Sequence, residues 1–103
     1  MAKSQTEVSG TSETWKFILY KGGSSLMSRQ AEKNLRDLLE KYLHDQFTLE
    51  VIDIMADIEA VPPDILAVPT VVRMYPCPER RVLGNLSETD KAVSGLGLGE
   101  QLF

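Results

Sequence analysis

The stretch Asp64-Ile65-Leu66-Ala67-Val68-Pro69-Thr70-Val71-Val72-Arg73-Met74-Tyr75-Pro76-Cys77-Pro78-Glu79-Arg80-Arg81-Val82-Leu83 decides the fold. It carries three of the five prolines and the single cysteine. Pro69 stands before a β-branched run, Thr70, Val71 and Val72, which favours strand. A proline can open a strand because the first residue need not donate a ladder hydrogen bond, and it pushes the residue before it toward extended geometry. Pro76-Cys77-Pro78-Glu79 breaks the run and Arg80 to Leu83 resumes it, so the stretch reads as two strands joined by a stiff turn.

Upstream, Trp15-Lys16-Phe17-Ile18-Leu19-Tyr20-Lys21 is a strand candidate stopped by Gly22-Gly23-Ser24-Ser25. Ser24 or Ser25 can cap the following helix. The paired glycines form a plain strand-to-helix turn, since they lack the wider pattern of a phosphate loop. Residues 27–44 show the clearest helical period. Met27, Ala31, Leu35, Leu38, Leu39, Tyr42 and Leu43 form one apolar stripe. The opposite face pairs Glu32 with Arg36, Arg36 with Glu40 and Asp37 with Lys41, a solvated surface. His44, the only histidine, sits at the helix end, where a cation suits the dipole.

Phe47 to Ile54 is the second strand, apolar on both sides late in its run, which suits an inner position in a parallel sheet. Strand, helix and strand in about 40 residues make a right-handed βαβ unit. Asp53 falls near the strand end, where open α/β sheets bind ligands, but no second acid or base accompanies it and it reads as solvent-facing. Pro62-Pro63 interrupts the segment that follows, leaving one helical turn at most. Beyond the central stretch, Gly84-Asn85 is a turn. A last helix is expected over residues 87–96, with Ala92, Val93 and Leu96 as its apolar face. Gly95, Gly97 and Gly99 weaken its end, by roughly 1 kcal/mol for each interior glycine.

Length, charge and composition bound the function. The chain has 103 residues, which suits one domain, with residues 1–14 a polar leader, 15–98 the folded unit and 99–103 a tail. A net charge of −4 argues against a nucleic-acid partner. One cysteine forms no internal disulfide. With no apolar run of membrane-span length, the expectation is a cytoplasmic protein with no membrane contact.

The order strand, helix, strand, short helix, strand, strand, helix resembles the thioredoxin fold (βαβαββα), in which the proline opening the third strand is cis. Enzymes of that fold carry Cys-x-x-Cys at the first helix. Here the region reads Gly23-Ser24-Ser25-Leu26-Met27-Ser28, and Cys77 lies alone in a turn. A closer resemblance lies in Leu19-Tyr20-x-x-Gly23, Val51-Ile52-Asp53-Ile54, Ile65-Leu66-Ala67-Val68-Pro69-Thr70, Pro76-Cys77-Pro78, Arg80 to Ser87 and Gly95-Leu96-Gly97-Leu98. Taken in order, these are similar to the patterns of the KaiB family of circadian clock proteins over residues 15–98.

That resemblance implies a non-enzymatic regulator without cofactor, which binds a KaiC-type ATPase ring and so acts indirectly on KaiA or a SasA-like kinase. It implies a homo-oligomer, tetramer or dimer, when unbound, and a second, rearranged fold of the C-terminal half, the family's resting form. Pro69, Asn85, Gly95 and Gly97 fall in that switching half, with Asn85 and Gly97 standing where the family has Asp. Thr48 and Glu50 fall at partner-contact positions of the second strand, and Glu50 stands where the family has Lys. Lys33, Arg73, Arg80 and Arg81 are candidate basic contacts. Two other readings of the fold are a thioredoxin-like redox or stress-response protein, resting on Cys77, and a detached SasA-type sensor domain.

Overall fold

The computed structural model describes residues 14–65 and 67–98. The expected leader, apart from Thr14, the tail and Leu66 lie outside the described residues. Strand β1 (Trp15–Lys21) leads into helix α1 (Leu26–Leu43) and then into β2 (Phe47–Asp53). A short 3-10 turn at Ile58–Ala60 precedes β3 (Thr70–Tyr75), β4 (Arg80–Leu83) and helix α2 (Thr89–Leu96). The sheet order is β2-β1-β3-β4. β1 runs parallel to β2 and antiparallel to β3, and β3 is antiparallel to β4. This is the thioredoxin-like arrangement, with a cis Val68–Pro69 bond before β3.

Local chemistry explains the elements. Ser25 caps α1, its Oγ accepting from the Ser28 N–H at 3.2 Å, which satisfies one of the free donors of the first turn. The helix ends at His44, in the left-handed region at φ 58°, with its N–H donated to the Glu40 carbonyl. The stripe Ala31, Leu35, Leu38, Leu39 and Leu43 is buried against Phe17 and Leu19 of β1, Val71 of β3, and Ala92 and Leu96 of α2. Leu86 and Leu98 complete that core. Both helices therefore cover one face of the sheet. One member of the expected stripe differs: Met27 is exposed and Ser28 is buried in its place, its Oγ accepting from the Gly22 N–H at the end of β1. On the solvent face Arg36 pairs with Glu32, and Asp37 pairs with Lys33.

β2 is an edge strand, not the inner strand expected from its apolar run. Phe47, Leu49 and Val51 pack against the core, but no residue of β2 is fully buried. α2 starts at Thr89, two residues later than expected, with Glu88 as a cap whose side chain makes no capping bond. Gly95 is there for closeness: a Cβ on it would stand 2.6 Å from Val82 Cγ2, so only glycine lets α2 lie this near β4. Gly97 ends the helix at φ 70°, a left-handed cap that glycine adopts without strain.

Candidate protein-docking site

The face of the sheet away from the helices carries Thr48, Glu50 and Ile52 of β2, Lys16, Ile18 and Tyr20 of β1, Thr70, Val72 and Met74 of β3, and Arg81 and Leu83 of β4, with Tyr20, Thr70 and Val72 buried at its centre. This follows from the ladder register and strand alternation. Glu50, Ile18, Val72 and Arg81 form one row across all four strands. With strands about 4.8 Å apart, Glu50 and Arg81 mark opposite edges of the sheet, about 14 Å from each other.

The structure separates the residues that the sequence grouped as partner contacts. Thr48 and Glu50 are exposed on the open edge of β2. Lys33 is on α1, across the core, exposed and bonded to Asp37 at 3.0 Å. Arg81 donates to Glu79 at 2.8 Å and to Asp64 at 2.9 Å. Hydrogen bonds to these two carboxylates, Glu79 first, push its pKa above the ordinary guanidinium value. Arg81 thus ties the β3–β4 turn to the loop before β3. Arg80 is half-buried beside Arg73 in the ladder.

Arg73 is a correction to the sequence reading. In this fold it is no surface contact: it is only 2% exposed. Its guanidinium lies 5.2 Å from the Trp15 ring centroid, and Trp15 stacks on Phe17. Nη1 donates to the Leu96 carbonyl at 2.9 Å and Nη2 to the Pro78 carbonyl at 2.8 Å. The physical reason is alternation: Arg73 shares the side of β3 that carries Val71, which faces the helices. It clamps the end of α2 and the β3–β4 turn to the sheet.

Asn85 is a second polar clamp. Its carbonyl accepts from Asn34 at 2.8 Å, its amide donates to Gln30 at 3.1 Å, and its Oδ1 accepts from the Ser87 N–H at 3.0 Å. The loop into α2 is thereby held to α1, with Gly84 at φ 98° and Leu86 at φ 62° making the bend. Asp53, expected to face solvent, is half-buried and used structurally. Its Oδ1 accepts from Gly23 and Met55 N–H groups, both at 2.9 Å, which joins the end of β2 to the β1–α1 turn. The sequence signal was an acid at a strand end followed by a turn.

Where enzymes of this fold hold their thiols, the chain has Ser25 engaged as a helix cap, and Cys77 is exposed in the β3–β4 turn. Among the described residues no three His, Cys, Asp or Glu side chains gather into a metal site, and no helix is long and apolar enough to cross a membrane. Among the described residues, what the surface offers is the outer edge of β2, to which no strand is paired, a geometry suited to adding another chain's strand.

Comparison with known proteins identifies the family. The KaiB domain family model matches residues 18–98. Over 87 residues the chain is 37% identical to the circadian clock oscillator protein KaiB of Prochlorococcus marinus, spanning 84% of this chain and 73% of that protein. The KaiB of Thermostichus vulcanus is also 37% identical, with 81% of its length covered. That of Synechococcus elongatus is 36% identical, with 85% covered. Since the match runs from β1 through α2 and takes in both strand edges and both polar clamps, this chain belongs to the KaiB family.

Proposed function

We propose that this protein is a non-enzymatic, cytoplasmic regulator of a circadian clock or a related timing or stress pathway, which acts by docking on a KaiC-type ATPase ring. Effects on KaiA or a SasA-like kinase follow indirectly from that docking. The observation that carries the reading is the open edge of β2. It exposes Thr48 and Glu50 beside backbone groups that have no neighbouring strand among the described residues, as expected of a strand that receives a partner. Glu50 is an acid here, so the matching surface on the partner is basic. Arg81, held by two carboxylates, serves first to brace the back half of the fold. We further propose that the unbound chain associates with itself and that residues beyond β2 rearrange when it does, Asn85, Gly95 and Gly97 lying in the moving part.

Size-exclusion chromatography with the cognate KaiC-type ATPase, in ATP and in ADP, tests the proposal. Co-migration in at least one nucleotide state is expected, weakened by Glu50→Lys and unchanged by Cys77→Ser. Absence of a complex in every state contradicts it. Disulfide reductase activity lost in Cys77→Ser would instead favour a redox protein.

A further inference from the structure

A second surface, separate from the β2 edge, lies where β1 and β2 end. It carries large apolar side chains in water: Met55 is 78% exposed, Ile58 66%, Leu26 62% and Met27 50%. Single exposed apolar residues need no explanation, but a contiguous group does. Leu26, Met27 and Met55 flank the β1–α1 junction, and Ile58 lies three residues beyond Met55 in the chain. A Cβ on Gly23 would stand 3.6 Å from Met55 Cγ, and Gly23 leads directly into the first turn of α1, which holds Leu26 and Met27. Asp53 fixes that junction by binding the N–H groups of Gly23 and Met55 together. On its other side, Met27 lines an open hollow of about 290 Å³ with Leu83 and Asn85. Two unbranched methionines, Met27 and Met55, suit a surface that adapts to an incoming side chain.

Charge selects the occupant. Between residues 53 and 72 the chain has Asp53, Asp57, Glu59 and Asp64, and no Lys, Arg or His. Asp53 is occupied by backbone N–H groups and Asp64 by Arg81. Asp57 and Glu59 flank Ile58, are exposed, and enter no ion pair among the described residues. We propose that this surface docks a basic amphipathic segment of a partner protein. Its apolar side chains cover Leu26, Met27, Met55 and Ile58, and its Lys or Arg side chains meet Asp57 and Glu59. The surface does not depend on the β2 edge or on the partner being a KaiC-type ATPase.

The test places a photo-crosslinking amino acid at position 58 of the full chain in its host cells and sequences the adducts. The expected adduct is a partner peptide that combines apolar residues with a net positive charge. Its yield falls about tenfold in the double variant Asp57→Lys, Glu59→Lys, which replaces attraction by repulsion. Met55→Ser lowers it as well, Glu40→Ala on the far side of α1 leaves it unchanged, and all variants keep the parent melting curve. Adducts to neutral or acidic peptides, adducts to a second copy of this chain, no adduct, or a yield indifferent to the charge reversal would each overturn the proposal. Co-migration with the KaiC-type ATPase is read separately, so failure of one reading is distinguishable from failure of the other.

Discussion

The front and back halves of this molecule are held together by different chemistry. In β1, α1 and β2, a helical stripe of leucines is buried on Phe17 and Leu19, with polar links at the Ser25 cap, from Gly22 to Ser28 and at the Asp53 tie, and exposed ion pairs along α1. In β3, β4 and α2 fewer apolar side chains reach the core, and the elements are positioned by directional contacts. Arg73 holds α2 and the β3–β4 turn, Asn85 holds the loop to α1, and Arg81 bridges Asp64 and Glu79. Apolar burial is non-directional and tolerates small shifts. A clamp made of a few hydrogen bonds holds one arrangement and is lost all at once. The same fold thus joins a unit whose local signals agree to one whose cohesion depends on a few polar residues and two glycines.

Substitutions break or sharpen that contrast. Leu39→Ala, at a fully buried position of α1, is expected to have the largest effect, a loss of about 2–5 kcal/mol in chemical denaturation, felt by both halves because both pack on this helix. Arg73→Met removes the bonds to Leu96 and Pro78 and leaves those carbonyls without this donor. A loss of about 3 kcal/mol is expected, with amide exchange rising first in α2 and the β3–β4 turn while α1 stays protected. If α1 opens equally, the clamp is not local to the back half.

Gly95→Ala separates two physical effects of opposite sign. Helix propensity favours alanine by about 1 kcal/mol, whereas the 2.6 Å approach to Val82 forces a shift that costs about 1–3 kcal/mol. Net destabilisation is expected, and a rise in melting temperature would show that α2 is not packed tightly on β4. Ser25→Ala should lower stability by about 1 kcal/mol through loss of the α1 cap, with the effect centred on the front half. The smallest effect is a pH dependence. Burial, with the Glu50 carboxylate adding to it, raises the Tyr20 phenol above its ordinary pKa. The fold therefore holds that proton more firmly than the unfolded chain does. The resulting stability is present below about pH 10 and lost as pH rises through the folded value. Denaturant midpoints at rising alkaline pH should fall less for Tyr20→Phe than for the parent.

The sequence made the front half legible because its signals are local. Aromatic and β-branched residues over β1 and a period of 3.6 over α1 point the same way. The pairing order was harder. Val51, Ile52 and Ile54 look like an inner strand, yet β2 ends the sheet, since which strand is outermost depends on partners far along the chain. Arg73 was misplaced for a different reason. Its charge suggested the surface, whereas its alternation with Val71 put it inside, and the alternation was right. Gly95 reads as a helix weakener until Val82 is seen beside it. The candidate contacts separated for the same reason: Lys33 and Glu50 project from opposite sides of the core, a matter of layering that residue type does not encode.

Native-state amide exchange, read residue by residue on the full chain, tests the contrast most directly. The account predicts that β3, β4 and α2 open together at a free energy clearly below that of α1 and β1, and that in Arg73→Met α1 and β1 remain the more protected set. Equal protection across both halves, lost in one global step, would contradict it.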